Sequence, residues 1–216
     1  MTSIAACADR IRARGLFIVI SLTLAGCTLP GKRLPHTVYD FGPGAVSAPS
    51  AGPTATLPAL ALGAVSANPA LDGTAVLYRL AYNDAQQLKP YAQARWSMAP
   101  SQLVRQRLSE HLGQGRALLS PGDVGPVGSP TPPTLRVELE EFSHLFQTPT
   151  TSVGLLRLRV TVVQPGPTGE RLVAQRSIVV QQIALTADAP GGVRALTAAV
   201  DTATQEIGLW LQGLAP

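Results

Sequence analysis

Cys27 carries the clearest chemical instruction in this chain. It follows Leu24, Ala25 and Gly26, and the tetrapeptide Leu24-Ala25-Gly26-Cys27 has the form of a bacterial lipobox. The thiol is the nucleophile that takes up a diacylglycerol group. The small side chains of Ala25 and Gly26 admit a peptidase that cuts just before the cysteine. Upstream, Arg10, Arg12 and Arg14 precede the apolar run from Leu16 to Leu24. Basic residues followed by a short apolar stretch form an export signal. About ten apolar residues in a helix reach only about 15 Å, half of a bilayer core of about 30 Å, so the run is short for a permanent span. Thr28 stands where an aspartate would signal inner-membrane retention under enteric-type sorting rules, which points to the outer membrane. The expected organisation is therefore a signal peptide over residues 1–26, removed on processing, and a lipidated Cys27. Two or more long acyl chains at about 0.8 kcal/mol per buried CH₂ make such an attachment effectively permanent.

The other reactive residue types lead away from chemistry. His36, His111 and His144 fall in the tether, near a helix end and in a hairpin loop, and no pair has metal-ligand spacing. Cys7 leaves with the signal peptide and Cys27 is consumed by lipid, so neither a metal site nor a cofactor is expected. Ser143 adjoins His144, but a triad is made by residues meeting in space and no nucleophile elbow is present, so the pair reads as a polar loop. Glu138, Glu140 and Glu141 could be offered as paired carboxylates for glycosidic acid–base work. Their alternation with apolar residues, opposite candidate arginine partners, reads instead as a solvated ladder. The glycines near residues 113 and 191 lack the Lys-Ser/Thr of a phosphate loop. No catalytic residue is expected. Removing three arginines and one aspartate with residues 1–26 leaves 14 basic and 12 acidic residues, and the net charge falls from +4 to +2. That is too weak for a nucleic-acid partner. Arg95, Arg105 and Arg107 make a local basic cluster, read as a solvated helix surface ahead of a contact with anionic phospholipid headgroups.

The elements that must position these residues follow from composition and periodicity. With 216 residues, 45% of them hydrophobic and only two cysteines, the chain is neither a disordered polymer nor a disulfide scaffold, and it lacks the apolar runs of a multi-span membrane protein. Residues 27–56 comprise the lipidated cysteine, a tether with a short β-prone segment at 38–43, and an Ala/Gly/Pro linker. Tyr39 and Phe41 in that segment are expected to pair back onto the domain, which runs from 57 to 216. Strands are expected at 57–67, 74–82 and 91–96. A helix opens at Pro100 with Leu103, Val104, Leu108 and Leu112 on one stripe and ends at Gly113 or Gly115. Residues 121–133, rich in proline and glycine, form a loop.

Beyond it, Leu135, Val137 and Leu139 alternate with Arg136, Glu138 and Glu140, and Leu156, Leu158, Val160 and Val162 alternate with Arg157, Arg159 and Thr161. A hairpin turning about residues 148–149 pairs Leu139 with Leu158 and Val137 with Val160. The same register sets Glu138 against Arg159 and Glu140 against Arg157. A third strand runs over roughly 171–185. A final helix is capped by Asp188, with Val193, Leu196, Val200, Ile207, Leu211 and Leu214 on one side. The fold class expected is α+β, a mostly antiparallel sheet with two amphipathic helices packed on one face.

The succession Tyr39-Asp40-Phe41-Gly42-Pro43, then Tyr78-Arg79-Leu80 with Tyr82, then Tyr91-Ala92 leading to Arg95-Trp96 and Pro100, resembles the ABC-type transport auxiliary lipoprotein family, to which the PqiC-like lipoproteins belong. The resemblance extends from about residue 38 to about residue 212. It implies a non-enzymatic periplasmic protein, held at the outer membrane by its lipid. Its implied partners are an ABC permease and ATPase and a mammalian-cell-entry-type protein that together move lipid, phospholipid above all, between the two membranes. A ring of identical subunits is part of the same expectation. Trp96 is then a packing residue between sheet and helix, while Tyr82 and Tyr91, flanking a turn, are candidates for partner contact. A lipoprotein chaperone or assembly factor for lipopolysaccharide or outer-membrane proteins is the alternative, and an anchored hydrolase a third.

Overall fold

The strongest alternation in the sequence builds the centre of the molecule. In the computed structural model, which describes residues 35–44, 57–123 and 131–214, strand β6 (Thr134–Phe146) and strand β7 (Ser152–Gly166) form a long antiparallel hairpin. The expectations for the signal peptide, Cys27, the tether before residue 35, the linker at 45–56 and most of the Pro/Gly loop fall outside these residues. Leu139 lies opposite Leu158, Val137 opposite Val160 and Glu138 opposite Arg159, as the alternation requires. Between Leu139 and Glu141 a β-bulge intervenes, so Glu141, not Glu140, opposes Arg157. Glu140, displaced into the bulge, turns to Arg159 at 2.5 Å. An extra residue on one strand shifts every later partner by one, which single-strand alternation cannot reveal.

The other strands are β1 (Thr37–Tyr39), β2 (Leu57–Ala67), β3 (Ala75–Leu80), β4 (Ala85–Trp96), β5 (Arg116–Leu119) and β8 (Gly169–Ile183). A 3-10 turn at Pro69–Leu71 separates β2 from β3, and the single-turn helix α1 (Ala81–Asp84) separates β3 from β4. The longer helices are α2 (Pro100–Leu112) and α3 (Ala189–Gly213). One edge of β6 carries β7, with β8 beyond it. The other edge is shared: β2 pairs with its first half and β3 with its last residues, both parallel. Strand β5 adds parallel to β2, β4 antiparallel to β3, and β1 parallel to β4. The eight-stranded sheet is therefore mixed, correcting the expectation of a mostly antiparallel one. Adjacent hairpins announce themselves by turns, whereas β2 and β6 are joined by some seventy residues with no local signal of their pairing.

Hydrophobic burial fixes which way the sheet faces. Leu60 and Leu62 of β2, Leu135, Val137 and Leu139 of β6, Leu156, Leu158 and Val160 of β7 and Ile178 of β8 share one core with Leu103, Val104 and Leu108 of α2 and Leu196, Val200 and Ile207 of α3. At about 25 cal/mol per Å² of apolar surface, this single cluster is the main source of stability. Pro100 occupies the first turn of α2, where its missing N–H costs nothing, and the Asp188 carboxylate caps α3 by accepting from the Gly191 amide at 2.8 Å. Helix α3 comes so close to β7 that a Cβ on Gly154 would sit 2.6 Å from the backbone of Ala195. The opposite face of the sheet is left open and carries the charges.

Candidate functional site

The aromatic segment before the linker is built into the domain. Strand β1 aligns Thr37, Val38 and Tyr39 with Ala94, Arg95 and Trp96 of β4, and the Ser97 amide donates to the Tyr39 carbonyl at 2.7 Å. Phe41 then turns inward and packs edge-on against Trp96 (centroids 5.5 Å apart) and beside Phe142 (6.1 Å). Trp96 is itself fully buried between sheet and helix. The buried Arg107 guanidinium closes the clasp. It donates to the carbonyls of Phe41 and Gly42, stands over the Phe41 ring at 6.0 Å, and pairs with Asp201 of α3 at 3.4 Å. One side chain thus ties the entering chain to both long helices.

This arrangement takes Arg107 out of the basic cluster expected from the sequence, for it is buried. Arg105, exposed, donates to the Gly63 carbonyl at 3.3 Å, and Arg95, partly buried, donates to the carbonyls of Tyr91 and Ala94.

His144 is the larger surprise. The structure places it in β6, fully buried, and not in a hairpin loop, because β6 resumes after its bulge and runs on to Phe146. Its Nδ1 lies 2.8 Å from the Tyr91 hydroxyl and its Nε2 lies 2.7 Å from Ser152 Oγ. A neutral imidazole accepts at one nitrogen and donates at the other, and two hydroxyls satisfy both. Burial pushes the His144 pKa down to about 4, opposed by the field of Asp188. Burial likewise raises the Tyr91 pKa, assisted by Tyr78 and Asp188. Ser152 is buried beside the histidine. The chemistry of this contact is that of a polar pin joining β4, β6 and β7 under the start of α3.

Of the three carboxylates offered for acid–base work, Glu140 and Glu141 are engaged by arginines, while Glu138 lies across from Arg159 in the strand register only. Glu141 receives two hydrogen bonds from Arg79, at 3.0 and 3.2 Å, Glu140 pairs with Arg159, and Glu170 pairs with Arg136 at 2.7 Å. Two open grooves border these elements. One of about 510 Å³ runs between β1 and α3, past Val38, Arg194 and Asp201, and another of about 560 Å³ crosses the open face near Ser66, Thr134 and Glu138. Of the two tyrosines singled out by sequence, Tyr82 is exposed on α1. Tyr91 is half-buried, with its ring on Tyr78 at 4.6 Å and its hydroxyl on His144. Cys27 lies outside the described residues. Among those that are described, no group of His, Cys, Asp and Glu is arranged to hold a metal ion, and no helix is long and apolar enough to cross a membrane.

Comparison with known proteins settles the class. The family model described as the ABC-type transport auxiliary lipoprotein component matches residues 39–208. The chain belongs to this family. The match begins inside β1, which sets the Phe41 clasp within the auxiliary lipoprotein's own domain. A Xanthomonas campestris protein of the DUF330 family shares the fold, with a TM-score of 0.65 at 15% identity over 82% of this chain and 96% of that one. A second solved structure, of an uncharacterized protein, gives 0.56 at 16% identity over 82% and 99%. At such identity these likenesses concern the fold alone. No significant match is found among curated proteins.

Proposed function

We propose that this auxiliary lipoprotein works at the outer membrane, on the periplasmic face. In this reading it is held there through a lipid on Cys27, as the non-enzymatic docking component of an ABC and mammalian-cell-entry-type system that moves phospholipid between the membranes. The observation that carries the reading is the family match over residues 39–208, joined to the lipobox ending at Cys27. The clasped entry of the chain suits a part whose distance from its membrane matters. Its partners are the permease–ATPase complex and the mammalian-cell-entry-type protein, with Tyr82 and Tyr91 as the contact candidates and a ring of identical subunits as the assembly. Two experiments test this. Cys27→Ala should leave the precursor uncut before residue 27, unlabelled by palmitate and absent from outer-membrane fractions; retention and labelling of the variant would refute the anchor. Affinity purification of the wild-type protein should recover the permease, the ATPase and the mammalian-cell-entry-type protein together. Recovery of a β-barrel or a lipopolysaccharide-handling protein in their place would favour the chaperone reading.

A further inference from the structure

The sheet has two ends; the two most exposed apolar residues, Ile183 and Leu185, lie at one of them, while Leu172 and Val173 are exposed towards the other. The last rung at the Ile183 end runs from Leu80 of β3 to Phe146 of β6, to Ser152 of β7 and to Ala184 just after β8. With neighbouring strands about 4.8 Å apart, this rung is roughly 15 Å across. Tyr82 stands just beyond Leu80 and is 48% exposed. At the far corner Ile183 is 78% and Leu185 is 87% exposed, more than any other large apolar side chain among the described residues.

The segments that project past this rung are Ala81–Asp84, the turn 147–151 and residues 185–188. They contain two charged residues, both carboxylates held by local donors, and Arg194 reaches in to Thr186 Oγ1 at 3.2 Å. Asp84 accepts from the Gln86 amide at 2.9 Å, and Asp188 accepts from Thr186 Oγ1 and the Gly191 amide. The opposite end, at the β7–β8 turn, carries Glu170, Arg171 and the Arg136–Glu170 pair. The most exposed apolar side chains thus lie at one end, and the Arg136–Glu170 ion pair at the other.

The direction of chain entry says which end meets the anchor. Strand β1 is parallel to β4, so the chain reaches Thr37 from the side on which β4 begins, at Ala85, beside Tyr82. β4 bulges between its pairings with Ala75 and Leu77, so Ala94, the partner of Thr37, lies level with Val76 of β3, four residues or roughly 13 Å from Leu80. Residues 28–36 number nine and span at most about 30 Å fully extended. The tether is long enough to bring the Tyr82 end, the side from which the chain enters, down to the membrane while the Phe41 clasp holds.

We infer that the tip formed by Tyr82, Ile183 and Leu185 rests in the headgroup–acyl boundary of the phospholipid membrane that holds the anchor. A tyrosine suits that depth, with an apolar ring and a wet hydroxyl, and two bare aliphatic side chains supply the apolar contact. The contact orients the sheet so that the end with the Arg136–Glu170 pair faces away from the membrane. This inference rests on the lipidation of Cys27, and the test separates the two. In the processed protein Cys27 is blocked by lipid and Cys7 is gone, so Leu185→Cys and Thr168→Cys each give a single labelling site, one at either end of β8.

The mature lipoprotein, purified from bacterial membranes in detergent, is placed in phosphatidylethanolamine–phosphatidylglycerol vesicles. Each variant carries an environment-sensitive dye, and brominated phospholipid serves as quencher. The dye at 185 should shift to the blue and be quenched several-fold more strongly than the dye at 168. Equal quenching at both sites, stronger quenching at 168, or shielding of 185 only after a partner protein is added would overturn the inference while leaving the anchor intact. A wild-type protein that accepts thiol label and fails to float with vesicles would remove the anchor and the tip contact together.

Discussion

His144 is a base placed where a proton is unwelcome. Its ring is buried under the first turn of α3, with the Tyr91 and Ser152 hydroxyls on its nitrogens and Asp188 as the acidic group whose field reaches it. With a folded-state pKa of about 4 against an ordinary value of 6.5, the unfolded chain binds the proton more readily throughout the interval between them. Stability from this site is therefore fully present above pH 6.5 and drains away as the pH falls towards 4, by at most about 1.4 kcal/mol per pH unit. Chemical denaturation at several pH values should show that slope, and His144→Gln should flatten it; an unchanged slope in the variant would place the titration elsewhere. Gly192 belongs to the same construction. A Cβ at this position would overlap the His144 ring at Nδ1 and Cγ, so Gly192→Ala should cost about 1–3 kcal/mol, the usual range for forcing atoms into a filled core. The sequence shows a serine beside a histidine and nothing of this. The alternation that marks β6 stops being regular at Glu140, where the bulge lies, and the continuation to Phe146 is hidden by it.

Strand β1 is three residues long and could not hold itself in place by pairing alone. What holds it is the side chain that follows, Phe41 against Trp96 and Phe142, and the Arg107 guanidinium on the Phe41 and Gly42 carbonyls. Phe41→Ala should destabilise the domain by about 3 kcal/mol, since burying an aromatic ring and then removing it leaves a cavity. Arg107→Met keeps much of the packing and removes the donors. Its expected signature is local: the Ser97 amide, which donates to the Tyr39 carbonyl, loses hydrogen-exchange protection before the amides of β6 and β7 do. Uniform loss of protection throughout the sheet would mean that the arginine supports the whole core and not this strand. The aromatic pair Tyr39 and Phe41 marks the segment for docking, in a stretch otherwise made of small and polar residues. Its partner strand and its parallel direction are not legible, because nothing within ten residues of β1 belongs to β4. The same limit applies to β5, four residues squeezed between α2 and the Pro/Gly loop, which carries too little pattern to be told from a connection.

Taken as a whole, the molecule hides one face of its sheet and leaves long margins in water. The central hairpin and the two long helices were readable because each is longer than its own period and ends on recognisable punctuation: Pro100 and Gly113 for α2, Asp188 for α3. The mixed order of the sheet was not, since four of its seven pairings join strands in parallel and two of those four reach β6 from distant β2 and β3. That order has a cost at the rim. Strand β8 is fifteen residues long, pairs with β7 alone among the described residues, and shows Leu172, Val173 and Val179 to solvent. A long apolar edge with free backbone groups is a template for unwanted pairing. Val179 lies directly opposite the exposed Arg157. A glutamate there would bring a cross-strand partner worth about 0.2–1 kcal/mol and place a charge on the open rim. Val179→Glu in the mature lipoprotein purified in detergent should therefore leave the unfolding midpoint within about 0.5 kcal/mol of its parent or slightly above it, as surface changes do, while raising the temperature at which light scattering begins. Scattering that starts at the parent temperature, despite an unchanged midpoint, would show that aggregation proceeds through another margin of the sheet and that the β8 edge is protected by means other than charge.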